Sequence, residues 1–343
     1  MQAYWNFKRN ISSTRILAEI GAEHGVGIRK LLHGTTIDAR RLHDHNGTVG
    51  AEEELRVIRN LLEAAGDDKP LALKAGLRYH PTTFGVLGFA ILSSATVRSA
   101  IGLGLRYLRL TSFFCRMQIV EAGDETLIDA DDHELPADLC RFLVERDGAT
   151  LLNLSRDMMP PDFAFARLEI RHSRPPYASY AEQIFGRRID FLRPQNRVGI
   201  DRAIMDWKLP LADPPMRRRF ETECQRLLRE YDADEGIANR VRAHLLQQPG
   251  RIPTMHNVAR DLQSTVRTLR RRLLDDGIDF ESLVDDIRQS TAEYLLKTTD
   301  LSIAAVAEHL GYSEGACFTR AFKRWKSVTP RQYRASLQPA NPG

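Results

Sequence analysis

The sequence predicts an α+β N-terminal domain followed by an all-α C-terminal domain. Three observations carry that reading. Segments 71–79, 113–131 and parts of 162–204 read as strands among longer stretches of helical periodicity. After residue 236 every apolar pattern is helical and short, cut by Pro249-Gly250, Pro253, Gly277, Gly311 and Pro330. Within that last region one pattern of residues is written twice.

The elements follow in chain order. From Ser12 to Ala65 the periodicity is helical, interrupted by the turn-rich His43-Asp44-His45-Asn46-Gly47. LALKAGLRY, 71–79, reads as a strand ended by Pro81. Residues 83–110 read as two helices broken near Ser93-Ser94. TSFFCRMQIVEAG and ETLIDAD alternate and form a hairpin turning at Gly123-Asp124. Residues 135–159 are one long amphipathic helix. DFAFARLEIRH is a strand, and YASYAEQIFG a short helix with Gly186 as its cap. RRIDFLRP and NRVGIDRAI are two short strands, and Met216 to Tyr231 is a helix. The boundary falls in YDADEGIA, 231–238, which gives domains of about 1–230 and 237–337.

Composition bounds the function class. The chain has 343 residues, enough for two ordinary domains, and an apolar fraction of 43%, enough for real cores. No apolar run reaches membrane-spanning length, and the N-terminus carries no export signal pattern. Cys115, Cys140, Cys224 and Cys317 are far apart with no CxxC pair. That spacing suggests neither zinc nor a disulfide framework, and a reducing cytosol fits. Residues 236–343 hold 16 Lys+Arg against 11 Asp+Glu, while the rest of the chain is nearly neutral. The positive excess lies entirely in the last third, so a polyanion partner is expected there.

The duplicated pattern sharpens this. VARDLQSTVRTLRRRL (258–273) aligns with VAEHLGYSEGACFTRAFKRW (306–325). Val258-Ala259 matches Val306-Ala307, and Leu262 matches Leu310. Leu269 and Leu273 match Phe318 and Phe322 after one inserted residue. Each copy is a short helix, a tight turn and a longer helix, the helix-turn-helix plan. Thr265 and Ser313 are hydroxyl N-caps of the longer helices, and Gly311 supplies a left-handed turn residue. Arg267, Arg270 and Arg271 fall opposite Leu269 and Leu273. The equivalent face of the second copy holds Ala316, Thr319, Arg320 and Lys323. A helix with an apolar back and a cationic front fits the major groove of double-stranded DNA. FESLVDDIRQSTAEYLLK, 280–297, joins the copies as a helix of roughly 27 Å. That length suits two helices presented to groove segments about 34 Å apart. A single arginine-rich helix is as often a solvated face, but two aligned, capped copies make that reading poor. The apolar stripe is too narrow for a membrane surface.

The run from Ile237 to Leu337 resembles the AraC/XylS-type DNA-binding domain. The resemblance is carried by Ile303, Ala307, Leu310-Gly311-Tyr312-Ser313, Phe318, Arg320, Phe322-Lys323-Arg324, Pro330 and Tyr333-Arg334. Two positions depart from it, where Gln263 and Ser327 stand in place of the family's glycines. Residues 77–110 and 184–216 resemble the regulatory domain of one branch of that family, termed arabinose-binding-like. The resemblance implies an effector-sensing or dimerising domain without implying arabinose. It also implies a cytoplasmic regulator that acts on RNA polymerase, most often as an activator, and that can form a homodimer.

The expected DNA contacts are Thr265, Val266, Arg267, Arg270 and Arg271 from the first recognition helix (265–275). From the second (313–326) they are Ser313, Gly315, Ala316, Thr319, Arg320 and Lys323. A small-molecule effector is expected among the apolar segments 84–110 and 113–121. No cofactor is expected and no metal site. His43-Asp44-His45 lacks a third ligand in sequence, and Asp131-Asp132-His133-Glu134 reads as a solvated turn. Gly102-Leu103-Gly104 lacks the full dinucleotide fingerprint, Gly85-Val86-Leu87-Gly88 reads as close packing, and Ser93-Ser94 lacks the glycines of a nucleophile elbow. The alternatives are an enzyme domain fused to a DNA-binding module, and a regulator that dimerises without a ligand.

Overall fold

The structure, a computed structural model, describes residues 5–44, 47–160, 162–234, 237–246, 253–275, 277–299, 301–312 and 314–337. The chain forms two compact units, Met1–Arg229 and Glu230–Gly343.

The first unit opens with β1 (Arg9–Asn10), α1 (Ser12–Glu23), α2 (Ile28–Leu31), β2 (Thr48–Val49) and α3 (Ala51–Ala65). β1 and β2 pair antiparallel. Then come α4 (Leu71–Gly76), α5 (Val86–Leu92) and α6 (Val97–Arg106), with the helix break at Ser93-Ser94 as the sequence predicts. β3 (Arg116–Ala122) and β4 (Glu125–Asp131) form the expected hairpin, turning at Gly123 with φ 60°. α7 (Cys140–Met158), β5 (Arg167–Glu169), α8 (Ala178–Phe185), β6 (Asn196–Asp201) and α9 (Pro214–Asp234) complete the series. The sheet is antiparallel in the order β3-β4-β6-β5. Ile119, Ile128, Val198 and Leu168 stand in register across it, one residue from each strand.

Several expectations are corrected. Residues 71–79 are not a strand, since Leu71–Gly76 are helical. Their apolar run is buried almost all round, so alternation has no solvent face to report. α4 lies directly against α7, and Gly76 makes this possible. A Cβ there would stand 2.4 Å from the Arg146 carbonyl oxygen and 2.6 Å from the Ala149 Cβ. Residues 187–194 contribute only an isolated bridge, Asp190 to Glu169. The strand expected over 162–172 shrinks to β5, and the long helix begins at Cys140 instead of 135. The Asp131–Glu134 turn is not solvated throughout, because Asp132 is buried. Gly88 packs close as expected, its Cα facing the Pro81 carbonyl.

At the centre of this unit four charges are buried together. The Arg146 guanidinium pairs with Glu54 at 2.8 Å and Asp147 at 3.1 Å, and donates to the Ser112 carbonyl at 2.6 Å. Arg9 lies 3.7 Å from Glu54 and donates to the Trp5 carbonyl at 2.7 Å. Asp147 also accepts from the backbone N–H groups of Phe114 and Cys115. Both guanidinium groups lie over the Phe114 ring, at 3.8 and 5.2 Å. Ser13 donates to Glu54, and the Tyr79 hydroxyl donates to Ser13 at 2.8 Å. The network ties β1, α1, α3, the strand-entry segment and α7 to one point.

The second unit contains α10 (Ile237–Leu246), α11 (Met255–Asp261), α12 (Val266–Asp275), α13 (Phe280–Thr298), α14 (Ile303–His309), α15 (Gly315–Lys326) and α16 (Pro330–Leu337). It has two separate cores. One gathers Val241, Val258, Leu269, Leu273, Leu283 and Ile287. The other gathers Ala292, Leu295, Val306, Leu310, Phe318 and Phe322. α13 contributes to both, its first half to one and its second half to the other.

Removing one member of the buried quartet leaves an uncompensated charge inside. Glu54→Ala is expected to lower the stability of the first unit by about 3–5 kcal/mol. Equilibrium urea denaturation checks this, and a loss below about 1 kcal/mol would mean the network carries little.

Candidate nucleic-acid interface and regulatory cavity

The paired helices repeat their construction in detail. In each copy the backbone N–H after the turn donates to a carbonyl five residues back. Ser264 reaches Ala259 at 2.8 Å, and Tyr312 reaches Ala307 at 2.9 Å. Such a turn needs one left-handed residue. Gly311 supplies it with φ 77°, whereas in the first copy Gln263 is held at φ 52°. Ser327 likewise ends α15 in the left-handed conformation with φ 62°. Both residues that stand where the family has glycine therefore adopt the glycine-like conformation.

Caps set where the helices start. Thr254, Thr265, Asp279 and Ser302 each accept a backbone N–H from three residues ahead. Thr329 does the same at α16 and forms a reciprocal bond with Gln332. Ser313 lies outside the described residues, and α15 starts at Gly315, one residue after Glu314.

The back of each recognition helix is fully buried. Leu269, Leu273, Phe318 and Phe322 are all 0–1% exposed. Phe318 and Phe322 pack edge to face at 5.7 Å, and Tyr333 closes on Phe322 at 5.3 Å. α12 exposes Arg267, Arg270, Arg271 and Arg272, with exposed Thr265 just before it. Val266 does not stand free, because it packs partly buried against the first core. The front of α15 exposes Gly315, Ala316, Arg320 and Lys323. Thr319 is half-buried and its hydroxyl donates to the Gly315 carbonyl, so it presents mainly its methyl and one acceptor.

The cations divide by role. Arg324 pairs with Asp285 at 2.6 Å and Lys326 with Glu293 at 3.0 Å, both on α13. Arg288 of α13 lies over the Tyr312 ring at 4.7 Å and donates to the Leu310 carbonyl. These contacts fasten the second copy to the linker. Among the described residues, no acidic side chain pairs with Arg267, Arg270, Arg271, Arg272 or Lys323. The cations paired with α13 thus point inward, and the others of these helices face outward.

The first unit holds a cavity between the sheet and the pair α7 and α8. It is small, with a volume of about 60 Å³. Its walls are apolar, with Ile128, Val198 and Leu168 from the sheet facing Val144, Leu151 and Phe185 from the helices. Glu145 is the buried acid in this wall, 7% exposed, and accepts from the Tyr177 hydroxyl at 2.8 Å. Burial pushes its carboxyl up to about 7, against the pull of the Tyr177 hydrogen bond and the Arg141 and His172 charges. Of the segments where an effector was expected, 84–110 and 113–121, only Met117 lines this cavity. The lining is drawn from segments spread between Leu73 and Val198, and no local pattern announces it.

Comparison with known proteins agrees with both halves. Residues 25–209 match the family described as the arabinose-binding domain of AraC transcription regulator, N-terminal, and residues 258–336 match a helix-turn-helix domain. An uncharacterized HTH-type transcriptional regulator of Mycobacterium tuberculosis is 34% identical, over 94% of this chain and 95% of that one. The ornithine utilization regulator of Pseudomonas aeruginosa is 28% identical over the same shares. The arabinose operon regulatory protein of Escherichia coli is 29% identical over 36% of this chain and 37% of its own. Among the described residues, no helix is long and apolar enough to cross a membrane.

The left-handed Ser327 carries a conformational cost that glycine does not. Ser327→Gly is expected to stabilise the second unit by about 0.5–1 kcal/mol, read from its urea midpoint. An unchanged or lowered midpoint would show that the serine is not strained there.

Proposed function

The chain belongs to the AraC family of DNA-binding transcription regulators, and we propose that it activates target promoters by placing α12 and α15 in successive major-groove segments. The observation that carries this is the pair of outward cationic faces set on one linker helix. α13 has 19 residues and so spans about 28 Å, close to one turn of the duplex. Arg267, Arg270 and Arg271 act from α12, with Thr265 and Val266 at its entry. Gly315, Ala316, Thr319, Arg320 and Lys323 act from α15, with Ser313 just before it. Arginines fork onto guanine edges or onto phosphates, and the small Gly315 and Ala316 let the helix approach the bases. RNA polymerase is the partner at the promoter, and a dimer is the form that reads paired sites.

An effector that enters and widens the small cavity beside Glu145 controls this. Its chemistry follows from the walls, namely an apolar body with one basic nitrogen or other hydrogen-bond donor. A relative named for ornithine utilization is consistent with a small amine-bearing signal. Binding there shifts the population of the DNA-competent arrangement.

Crosslinking and sequencing across the source genome locates the operators, with the Arg267→Ala/Arg320→Ala double variant as control. On a located operator, Arg320→Ala is expected to weaken specific binding by about 1–3 kcal/mol and leave unrelated DNA little changed. An equal loss on all sequences would make Arg320 a phosphate contact, and no loss on either would remove this face from the interface. For the effector, small aliphatic and aromatic amines are expected to raise the thermal midpoint of the full chain and not of Glu145→Gln. A shift that survives in Glu145→Gln places the ligand elsewhere.

A further inference from the structure

Outside the interface and the cavity, one cluster of side chains has no role in anything described so far. Asp132 follows β4, Cys140 is the first residue of α7, and His172 follows β5. Asp132 and Cys140 are close in sequence and His172 is remote from both, and the fold brings their donor atoms within 4.8 Å of one another. The Cys140 Sγ lies 3.2 Å from the Asp132 Oδ2, and the His172 Nε2 lies 3.3 Å from the same oxygen.

We propose that Asp132, Cys140 and His172 bind a thiophilic divalent cation of the zinc class. The geometry is the first reason. A tetrahedral zinc ion at its usual bond lengths separates nitrogen from oxygen ligands by about 3.3 Å and sulfur from oxygen ligands by about 3.5 Å. The observed separations are close to those edges, so little movement admits the ion. The second reason is the His172 Nε2. It is shut off from solvent and meets the Asp132 carboxylate at ion-pair distance without good hydrogen-bond alignment. A ring nitrogen this close to a carboxylate oxygen yet poorly aligned with it suits two ligands on adjacent corners of one cation. The third is the supporting shell. The other Asp132 oxygen is held by Arg171, whose backbone N–H donates to Asn196 at 3.0 Å, so the carboxylate is fixed in orientation.

The charges balance. The Cys140 thiol binds as thiolate and its proton leaves to solvent, so thiolate and carboxylate neutralise the ion and the imidazole binds neutral. Water takes the fourth position. The ion would tie the end of β4, the start of α7 and the segment after β5 to one another. These three segments lead into the walls of the cavity, so the cation sets how firmly that cavity is held. The site does not depend on the assignment of the effector or of the DNA contacts.

The full-length protein, stripped with chelator under reducing conditions, is dialysed against Zn²⁺ or Co²⁺. One equivalent per chain is expected, with a thiolate-to-cobalt charge-transfer band and one proton released per ion. Cys140→Ser is expected to lose the band, while Cys317→Ser, altered in the other unit, keeps it. If Cys140→Ser does not fold, alkylation of the unaltered protein read by mass spectrometry serves instead, and Zn²⁺ should protect Cys140. Binding well below one equivalent, a band that persists in Cys140→Ser, or Cys140 labelling indifferent to Zn²⁺ would each overturn the assignment.

Discussion

The DNA-binding unit depends on one constraint: a short helix can carry a cationic front only if its apolar back is held elsewhere. α12 has ten residues and α15 twelve, near or below the length at which an isolated helix persists in water. Each is held by two large apolar side chains one turn apart, Leu269 and Leu273 or Phe318 and Phe322. The cores that receive them do not merge. α13 closes both, with Leu283 and Ile287 in one and Ala292 and Leu295 in the other. The separation of the two fronts is therefore set by a length of helix and not by a loop. Ion pairs from Asp285 and Glu293 of α13 to the end of α15 add direction to that attachment.

The regulatory unit is organised by a different device, a buried quartet of two arginines and two carboxylates around Phe114. Such a network contributes little net stability compared with an apolar core, but it tolerates few arrangements of the segments that supply it. Those segments include α7, which also forms one wall of the cavity and begins at Cys140. α7 thus touches the buried quartet, the apolar cavity and the Asp132–Cys140–His172 cluster in turn, at Arg146 and Asp147, at Val144 and Glu145, and at Cys140.

Legibility differed sharply between the units. In the second, the sequence pointed to Thr265 as a helix start, while the caps Thr254, Asp279, Ser302 and Thr329 emerge only from the structure and Ser313 lies outside the described residues. The turns were visible from the alignment of the two copies. The fronts and backs followed from 3.6-residue periodicity, because these helices are amphipathic and half-exposed. Val266 and Thr319 were the exceptions. Their partial burial depends on neighbours that periodicity does not name. In the first unit the helix at 71–76 was misread as a strand, since a segment buried on every side shows no period. The bridge at Asp190 and the short β5 were overextended for a related reason. Strand propensity says which residues suit a sheet, and pairing partners decide how much of a segment joins it.

The sequence by itself determined the two classes of domain, the duplicated motif, the linker helix and the family, because each is written in local period, local caps or a contiguous motif. Tertiary structure alone decided where the apolar cavity lies, which cations pair with acids of α13, and that Asp132, Cys140 and His172 meet. The physical reason is the same in all three. Cavities, ion-pair choice and ligand clusters are set by distances between segments remote in the chain, and no residue's own neighbours in sequence carry that information.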